Sequence, residues 1–218
     1  MPNKRSYRLL CPIARGLDKV GDRWTLLILR DLHAGPARFG ELQAGLTGLA
    51  SNLLTSRLRQ LQDDGLIQRR PDGTGAQLYA LTSDGEATAP LLFELARYGG
   101  RFSPPEDIRR PGNLRTIAVT LKEALRRVVD ADMHAHAEFV VDDESFSIAI
   151  DGGQIEVRYE ADPEAPVSVA TNYLALMATS DGQMSRAEFA AEHVALRRGS
   201  VADMQGFMGL MARAFAAA

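Results

Sequence analysis

The segment LASNLLTSRLRQLQDDGLIQRR constrains the fold of this 218-residue chain more than any other. Leu54, Leu58 and Leu61 recur at helical spacing, which predicts a helix from about Ala50 to Asp64 with one apolar face. Gly65 is a typical helix end. A chain that contains this helix has to bury the leucine face against other elements and leave the opposite face to solvent.

The opposite face carries short hydrogen-bonding side chains near the helix start and a cation further along: Ser51, Asn52, Thr55, Ser56 and Arg59. The sequences LIQRR and QLYAL follow as two strands around the loop PDGTGA, and they predict a hairpin with arginines on its stem. A helix with a polar outer face followed by a basic hairpin is typical of domains that lay one helix in the major groove of DNA. The pattern alone leaves open the alternative that this face is simply a solvated helix surface.

Other helices are predicted on both sides of this segment. Pro12 after Cys11 favours a helix start, because proline suits the first helical position. Asp22 can cap a second helix, in which Trp24 is predicted to lie in the core. The sequence GELQAGL predicts a brief third helix, and a longer one is expected after the hairpin, from about Ser83 to Tyr98.

Charge is distributed unevenly along the chain. The first 103 residues contain 14 Lys and Arg and 10 Asp and Glu, whereas the remainder contains 11 and 18, so a positive half precedes a negative one. The sequence GGRFSPPEDIRRPGN, rich in glycine and proline, lies at this change, where few contacts should cross. We therefore predict two domains, residues 1–103 and 114–218, joined by a linker of residues 104–113.

The second half predicts an antiparallel sheet covered by helices. An amphipathic helix is expected from Leu114 to Val129. The sequences MHAHAEFVV, SFSIAI, IEVRYE and PVSVAT then follow as strands, most of them alternating between apolar and polar residues as strands with one covered face do. His134, His136 and Glu138 share the solvated face, and without a cysteine or a third close histidine we predict no metal site there.

Four motifs in the first half resemble, in order and spacing, the HxlR-type branch of the MarR-like winged-helix transcription regulators: CPIARGLDKVGDRWTLLILRDL, ARFGEL, LASNLLTSRLRQLQDDGLIQRR and LYALTSDGEA. The resemblance covers about residues 8–101 and implies a homodimer on a two-fold symmetric operator in double-stranded DNA. It implies dimerisation through the N-terminal segment and the helix after the hairpin. Carried over position by position, the candidate groove readers are Ser51, Asn52, Thr55 and Ser56. The candidate phosphate contacts are Arg38, Arg59, Arg69 and Arg70.

Two features depart from the family pattern. Ala50 stands where a capping serine is usual, so Ser51 is a candidate helix cap as well as a candidate DNA contact. The loop PDGTGA is less basic and richer in glycine than is usual, which weakens the expectation of a minor-groove contact there.

The sequence from Pro166 to Met211 resembles the C-terminal half of sterol-carrier-protein-like domains, in the order strand, helix, short helix, strand and closing helix. Such domains enclose an apolar tunnel for lipids or other hydrophobic molecules. A methionine-rich last helix suits an adaptable pocket, although the same side chains could simply fill a core. The candidate pocket residues are Phe139, Phe146, Ile148, Leu174, Met177, Phe189, Met204, Phe207, Met208 and Met211. The predicted fold class is therefore α+β: a winged helix-turn-helix domain, then a sterol-carrier-like antiparallel sheet covered by helices.

Cys11 is the only cysteine of the chain. If it caps the first helix, its sulfur lies at the positive helix end and near Arg8 and Arg15, and both influences favour the reactive thiolate. In the HxlR-type family a cysteine at this place can sense oxidants or electrophiles, so Cys11 is a candidate sensor. The alternative is a small apolar residue buried near the dimer interface.

The sequence favours a transcriptional regulator that binds operator DNA and senses a hydrophobic small molecule in its second domain. The alternative is a carrier of lipids or other hydrophobic ligands whose first domain serves protein contacts only. The sequence contains no recognisable catalytic arrangement, cofactor motif, signal peptide or membrane-spanning run, and one cysteine fits a reducing compartment. We therefore expect a cytoplasmic protein with no enzymatic activity, no cofactor and no membrane contact.

Overall fold

The computed structural model describes residues 6–102, 114–180 and 182–216. The chain divides into two compact units, Met1–Leu92 and Phe93–Ala218. The predicted linker, residues 104–113, lies outside the described residues, so the domain limits at 103 and 114 stay a prediction.

The first unit consists of helices followed by a hairpin. Its elements are α1 (Pro12–Val20), α2 (Arg23–Leu32), α3 (Phe39–Gly45), α4 (Ser51–Asp63), β1 (Ile67–Pro71), β2 (Gln77–Leu81) and α5 (Ser83–Glu86). A further helix, α6 (Ala89–Gly99), begins in this unit and ends in the next. The predicted order of helices and hairpin is confirmed.

Local chemistry accounts for the helix limits in this unit. The side chain of Asp22 accepts a hydrogen bond from the backbone N–H of Trp24, as expected for the cap of α2. Gly65 has a φ of +76° and directly follows the C-cap of α4, a left-handed conformation that glycine adopts without steric cost. Trp24 itself is only half-buried, so its predicted place in the core is wrong in part.

The core of the first unit includes the leucine face of α4 and the centre of α2. Leu54, Leu58 and Leu61 are almost completely buried, and so are Ile28 and Leu29. Together they remove a large apolar area from water, at about 2 kcal/mol for each side chain.

A single bridge of one residue pair connects the hairpin to the segment before α3. β1 and β2 pair in antiparallel register, with Arg69 opposite Tyr79. On the other edge of β2, Ala37 and Tyr79 exchange two backbone hydrogen bonds of 2.8 and 3.0 Å. The hairpin is thereby joined to the segment that leads into α3.

The helix predicted from Ser83 to Tyr98 is divided into α5 and α6. Pro90 explains the break, because proline has no N–H to donate and its ring conflicts with the carbonyl four residues earlier, that of Glu86. α5 ends at Glu86, and α6 begins with Pro90 in its first turn, where the missing N–H has no consequence.

In the described residues, the second unit contains a five-stranded sheet and four helices besides α6. After a 3-10 turn (Leu114–Ile117) come α7 (Ala118–Leu125), β3 (His134–Val141), β4 (Glu144–Asp151), β5 (Gln154–Arg158), β6 (Val167–Thr171), α8 (Tyr173–Ser180), α9 (Arg186–Glu192), β7 (Ala195–Arg198) and α10 (Val201–Ala216). The strand order is β5-β4-β3-β6-β7. The predicted α+β class is confirmed, whereas the helix predicted from Leu114 to Val129 ends at Leu125.

The sheet is mixed, so the prediction of an antiparallel sheet is wrong at one pair. β6 pairs parallel to β3, with Ala137 opposite Val167 at the start of the ladder. The reason is topological: residues 159–166 leave β5 at one edge and place β6 on the far side of β3. A parallel pair requires such a crossover, and alternation within each strand does not reveal it.

Glu138 is buried, although the alternating pattern places it on the solvated face of β3. Its carboxylate accepts hydrogen bonds from the hydroxyl of Ser168 at 2.6 Å and from the backbone N–H of Asp162 at 3.2 Å. A guanidinium nitrogen of Arg198 lies 3.9 Å away. Partners from β6, β7 and the crossover segment therefore cover this part of the outer face, while His134 and His136 stay exposed as predicted.

None of the helices in the described ranges combines the length and the apolar composition that a bilayer crossing requires.

Replacing Gly85 by alanine is expected to destabilise the first unit. A Cβ atom at Gly85 would lie 2.1 Å from the carbonyl oxygen of Leu66, so the backbone has to move, which typically costs about 1–3 kcal/mol. Gly40→Ala is the matched control, because a Cβ there meets no heavy atom within 4 Å and a helical alanine gains about 0.5 kcal/mol. The measurement is urea unfolding of the full chain followed by fluorescence of Trp24, the only tryptophan. Equal unfolding midpoints for the two variants would contradict this packing.

Candidate nucleic-acid interface

The N-terminal half of α4 presents a row of polar side chains to solvent. Ala50 is the N-cap, in an extended conformation and without a side-chain capping bond, so Ser51 is the first helical residue and does not cap. Ser51, Asn52, Thr55 and Ser56 are all exposed, on the side opposite the buried leucines. The Thr55 hydroxyl donates to the Ser51 carbonyl at 2.8 Å, which leaves its oxygen free to accept.

Arg59 continues this exposed face one turn further along α4. Its side chain is exposed, and it makes no hydrogen bond or ion pair with the described residues. A free guanidinium on a helix face is a typical phosphate contact, because it gives up no protein partner on binding DNA.

Arg57 has a different role, which the sequence did not reveal. Its guanidinium pairs with the second carboxylate oxygen of Asp22 at 2.8 Å and also donates to Gln60. Lys19 pairs in the same way with Asp64 at the end of α4. These contacts fix the position of α4 against α1 and α2, and they distinguish Arg57 from its neighbour Arg59.

The arginines of β1 lie beside this helix, since α4 packs against β1. Arg69 stacks on Tyr79, with its guanidinium carbon 5.1 Å from the ring centroid, and donates to the tyrosine hydroxyl at 2.8 Å. The side chain of Arg70 is exposed and makes no hydrogen bond or ion pair with the described residues. Tyr79 thus holds one of the two arginines in a fixed orientation.

Asp72, which is not among the predicted site residues, organises the loop between β1 and β2. Its carboxylate accepts hydrogen bonds from the backbone N–H and hydroxyl of Thr74 at 2.9 and 2.7 Å, and from the N–H of Ala76 at 3.1 Å. The other oxygen pairs with Arg38 at the N-terminus of α3. An aspartate two residues before a turn N–H is a recognisable signal for such a loop. Arg38 is therefore brought to the hairpin loop, already paired.

The hydrogen bonds from Thr74, and then the ion pair with Arg38, hold the pKa of Asp72 well below its ordinary value of 3.8. The hydrogen bonds of this loop therefore stabilise the charged form of the carboxylate.

Cys11 occupies the N-cap of α1, with Pro12 as the next residue, and its side chain is exposed. The thiol therefore lies at the end of a helix where unpaired backbone N–H groups favour negative charge.

The predicted ligand-pocket residues divide into three groups in the second unit. Phe139, Phe146, Ile148, Phe189, Phe207 and Met211 are buried, and Met177, Met204 and Met208 are half-buried. Leu174 is 72% exposed. A cavity of about 480 Å³ lies between β3, the start of β6 and α10, and of the ten predicted residues only Phe207 lines it.

The exposed histidines of β3 each have an acidic neighbour. A ring nitrogen of His134 lies 2.8 Å from Asp151, and one of His136 lies 2.6 Å from Asp162. This contact with His136 lowers the pKa of Asp162. Within residues 6–102, 114–180 and 182–216, no three His, Cys, Asp or Glu side chains group as metal ligands do.

Comparison with known proteins places the first half of the chain among DNA-binding regulators. Residues 19–107 match the model of the HxlR-like helix-turn-helix family. The HTH-type transcriptional regulator sll1512 of Synechocystis is 36% identical over 99 residues, 44% of this chain and 73% of that one. The HTH-type transcriptional regulator YvaP of Bacillus subtilis is 32% identical, over 44% of this chain and 92% of its own length. Among solved structures, PA1607 has a sequence 41% identical to this chain. The match covers 47% of this chain and 72% of PA1607, with a TM-score of 0.43.

The carboxyl of Asp72 is expected to stay ionised at pH 4, where an ordinary aspartate is close to half protonated. Because its pKa is lower in the folded chain than in the unfolded one, the carboxylate stabilises the fold above the ordinary pKa and loses this contribution only as the pH falls through the lowered value. The measurement is a carboxyl ¹³C NMR titration. Thr74→Val and Arg38→Ala should each raise the pH at the titration midpoint of Asp72, and a wild-type midpoint near the ordinary value of 3.8 would contradict the geometry.

Proposed function

Because the chain belongs to the HxlR-like helix-turn-helix family of transcriptional regulators, we propose that it binds operator DNA in a sequence-specific manner through α4 and the β1–β2 hairpin. The proposed DNA contacts are Arg38, Ser51, Asn52, Thr55, Ser56, Arg59, Arg69 and Arg70. We also propose that the protein acts in the cytoplasm as a homodimer. A hydrophobic small molecule in a sterol-carrier-like second unit, and modification of Cys11, would adjust its affinity for DNA.

One observation carries the DNA-binding proposal: the exposed polar edge of α4 is next to unpaired arginines. Short polar side chains at a helix start can reach base edges in the major groove, while flanking cations neutralise phosphates. Arg59 on α4 and Arg70 on the adjacent β1 are exposed and unpaired among the described residues, so both are available to the sugar–phosphate backbone.

Exposed apolar side chains support the homodimer. Leu91, Leu95 and Tyr98 recur at helical spacing on one side of α6, and each is close to half exposed or more. In the N-terminal segment, Leu10 is 98% exposed and Ile13 is 74% exposed. Several large apolar side chains exposed close together favour a contact with another protein surface. In a symmetric dimer this partner is a second copy of the same surface.

Two observations support control by a small molecule or by thiol chemistry. The second unit holds a cavity whose volume lies within the range of small-molecule sites. Cys11 is exposed at a helix N-terminus, where an electrophile can alkylate the thiol, or an oxidant that accepts two electrons can join two Cys11 thiols in a disulfide. A ligand shifts the affinity for DNA only as far as it prefers one state of the dimer over the other.

Arg59→Ala and Arg70→Ala are each expected to weaken DNA binding on every sequence tested. Each removed phosphate contact should reduce the slope of log K against log salt concentration by about 1. The measurement is fluorescence anisotropy with operator and random duplexes over a range of salt concentrations. Arg197→Ala is the matched control, because Arg197 is also exposed and unpaired among the described residues but lies on β7. Salt slopes equal to wild type in both test variants would refute the interface.

Asn52→Ala and Thr55→Ala should instead relax the preference for particular bases. A lost contact to a base edge typically costs about 1–3 kcal/mol at one position of the site, while binding to random DNA is almost unchanged. Affinities are measured for a set of operators with single base-pair changes. A wild-type protein that binds operator and random DNA equally would exclude sequence-specific recognition, and absence of any salt-dependent binding would favour a ligand carrier.

A further inference from the structure

We propose that the cavity between α10 and β3 binds a small amphiphile with one anionic group, which pairs with Arg213. This inference rests on the proposed small-molecule control and makes it specific: it assigns the site and the chemical class of the ligand.

The topology of the sheet leaves space beside the first residues of β3. β4 pairs with β3 along its whole length, whereas β6 pairs with it only from Ala137 onward. Beside Met133–His136, the cavity takes the place that a longer β6 would fill, and α10 forms its opposite wall. The cavity follows from the place where β6 begins and needs no displaced element.

The walls of the cavity combine an apolar floor with small residues. Phe207 and Leu210 on α10, and Ala137 and Val167 on the paired strands, are buried and line it. Ala202 and Gly206 on the same helix have a short side chain or none, and they leave room in the cavity. An apolar body of a ligand would displace water from these surfaces. The volume, about 480 Å³, suits a small molecule and not a folded partner.

One charged side chain of the cavity lining has no ion-pair or hydrogen-bond partner among the described residues. His134 and His136 are next to Asp151 and Asp162, and the Asp203 carboxylate accepts from the backbone and hydroxyl of Ser200. Arg213 alone among the titratable residues of the lining has no partner in the described part of the chain.

An arginine offers planar paired donors that match a carboxylate, sulfate or phosphate ester. The lining therefore complements one apolar body and one anion, and a neutral ligand leaves the guanidinium unpaired.

The first test compares octanoate with 1-octanol, which differ only in the anionic group. Binding to the full-length protein is followed by ¹H–¹⁵N NMR titration, which also reports whether amides of β3 and α10 respond. We expect octanoate to bind roughly fivefold more tightly than 1-octanol, as for a partly exposed ion pair. Arg213→Gln should abolish this difference, and Arg197→Gln, an exposed and unpaired arginine outside the cavity, should preserve it.

The second test fills the cavity. A Cβ at Gly206 or at Gly209 meets no heavy atom within 4 Å, and both glycines lie within α10, but only Gly206 lines the cavity. Gly206→Leu is therefore expected to keep the fold and to weaken octanoate binding at least tenfold, whereas Gly209→Leu should bind as wild type does. Thermal unfolding of both variants checks that the second unit remains folded.

Several outcomes overturn the site. Equal affinity for octanoate and 1-octanol, unchanged octanoate binding in Gly206→Leu, or spectral changes confined to other parts of the chain would each do so.

Operator affinity measured with and without octanoate separates this inference from the proposed function. Octanoate bound in the cavity without any effect on DNA binding supports the site and excludes ligand control, while salt-dependent operator binding with an empty cavity supports the regulator and excludes the site.

Discussion

Burial of the leucine face of α4 determines which side chains of this helix are exposed to solvent. Leu54, Leu58 and Leu61 are almost completely inaccessible to water, so α4 cannot rotate about its axis without exposing several kcal/mol of apolar surface. Asp22 restricts the helix further: one carboxylate oxygen caps α2, and the other pairs with Arg57 of α4. The same carboxylate thus serves two helices, and the polar edge of α4 is held outward by the packing behind it.

The four candidate phosphate contacts enter this interface in different states. Arg59 and Arg70 have no partner among the described residues, so the whole of their attraction to a phosphate is available. Arg69 is already oriented by the ring and hydroxyl of Tyr79, so it loses less side-chain freedom on binding DNA. Arg38 is already paired with the carboxylate of Asp72, so a contact with a phosphate would replace this ion pair. The free arginines are therefore expected to contribute most to affinity, although all four look alike in the sequence.

Local patterns predicted the elements that are stabilised locally. Leucine spacing and Gly65 located α4, the glycine-containing loop PDGTGA located the hairpin, and alternation located β3, β4 and β5, because each signal lies within or next to the element that it describes. The ion pairs between side chains are not local. Arg57 pairs with Asp22, and Arg38 pairs with Asp72, so each pair joins residues more than 30 positions apart. The break between α5 and α6 was missed although its cause is local. Pro90 interrupts a helix by itself, so this break was predictable from the sequence.

The largest departure, the mixed sheet, also explains the burial of Glu138. Once residues 159–166 cross to the far side of β3, they bring Asp162 next to His136 and its backbone N–H next to Glu138, while Ser168 of β6 donates to the same carboxylate. A buried carboxylate costs free energy unless it is hydrogen-bonded, so this set of contacts specifies where β6 begins. The start of β6 in turn leaves the first residues of β3 beside the α10 cavity. The residues that hydrogen-bond Glu138 therefore belong to the same crossover and strand that border the cavity, so the position of the cavity follows from the place where β6 begins.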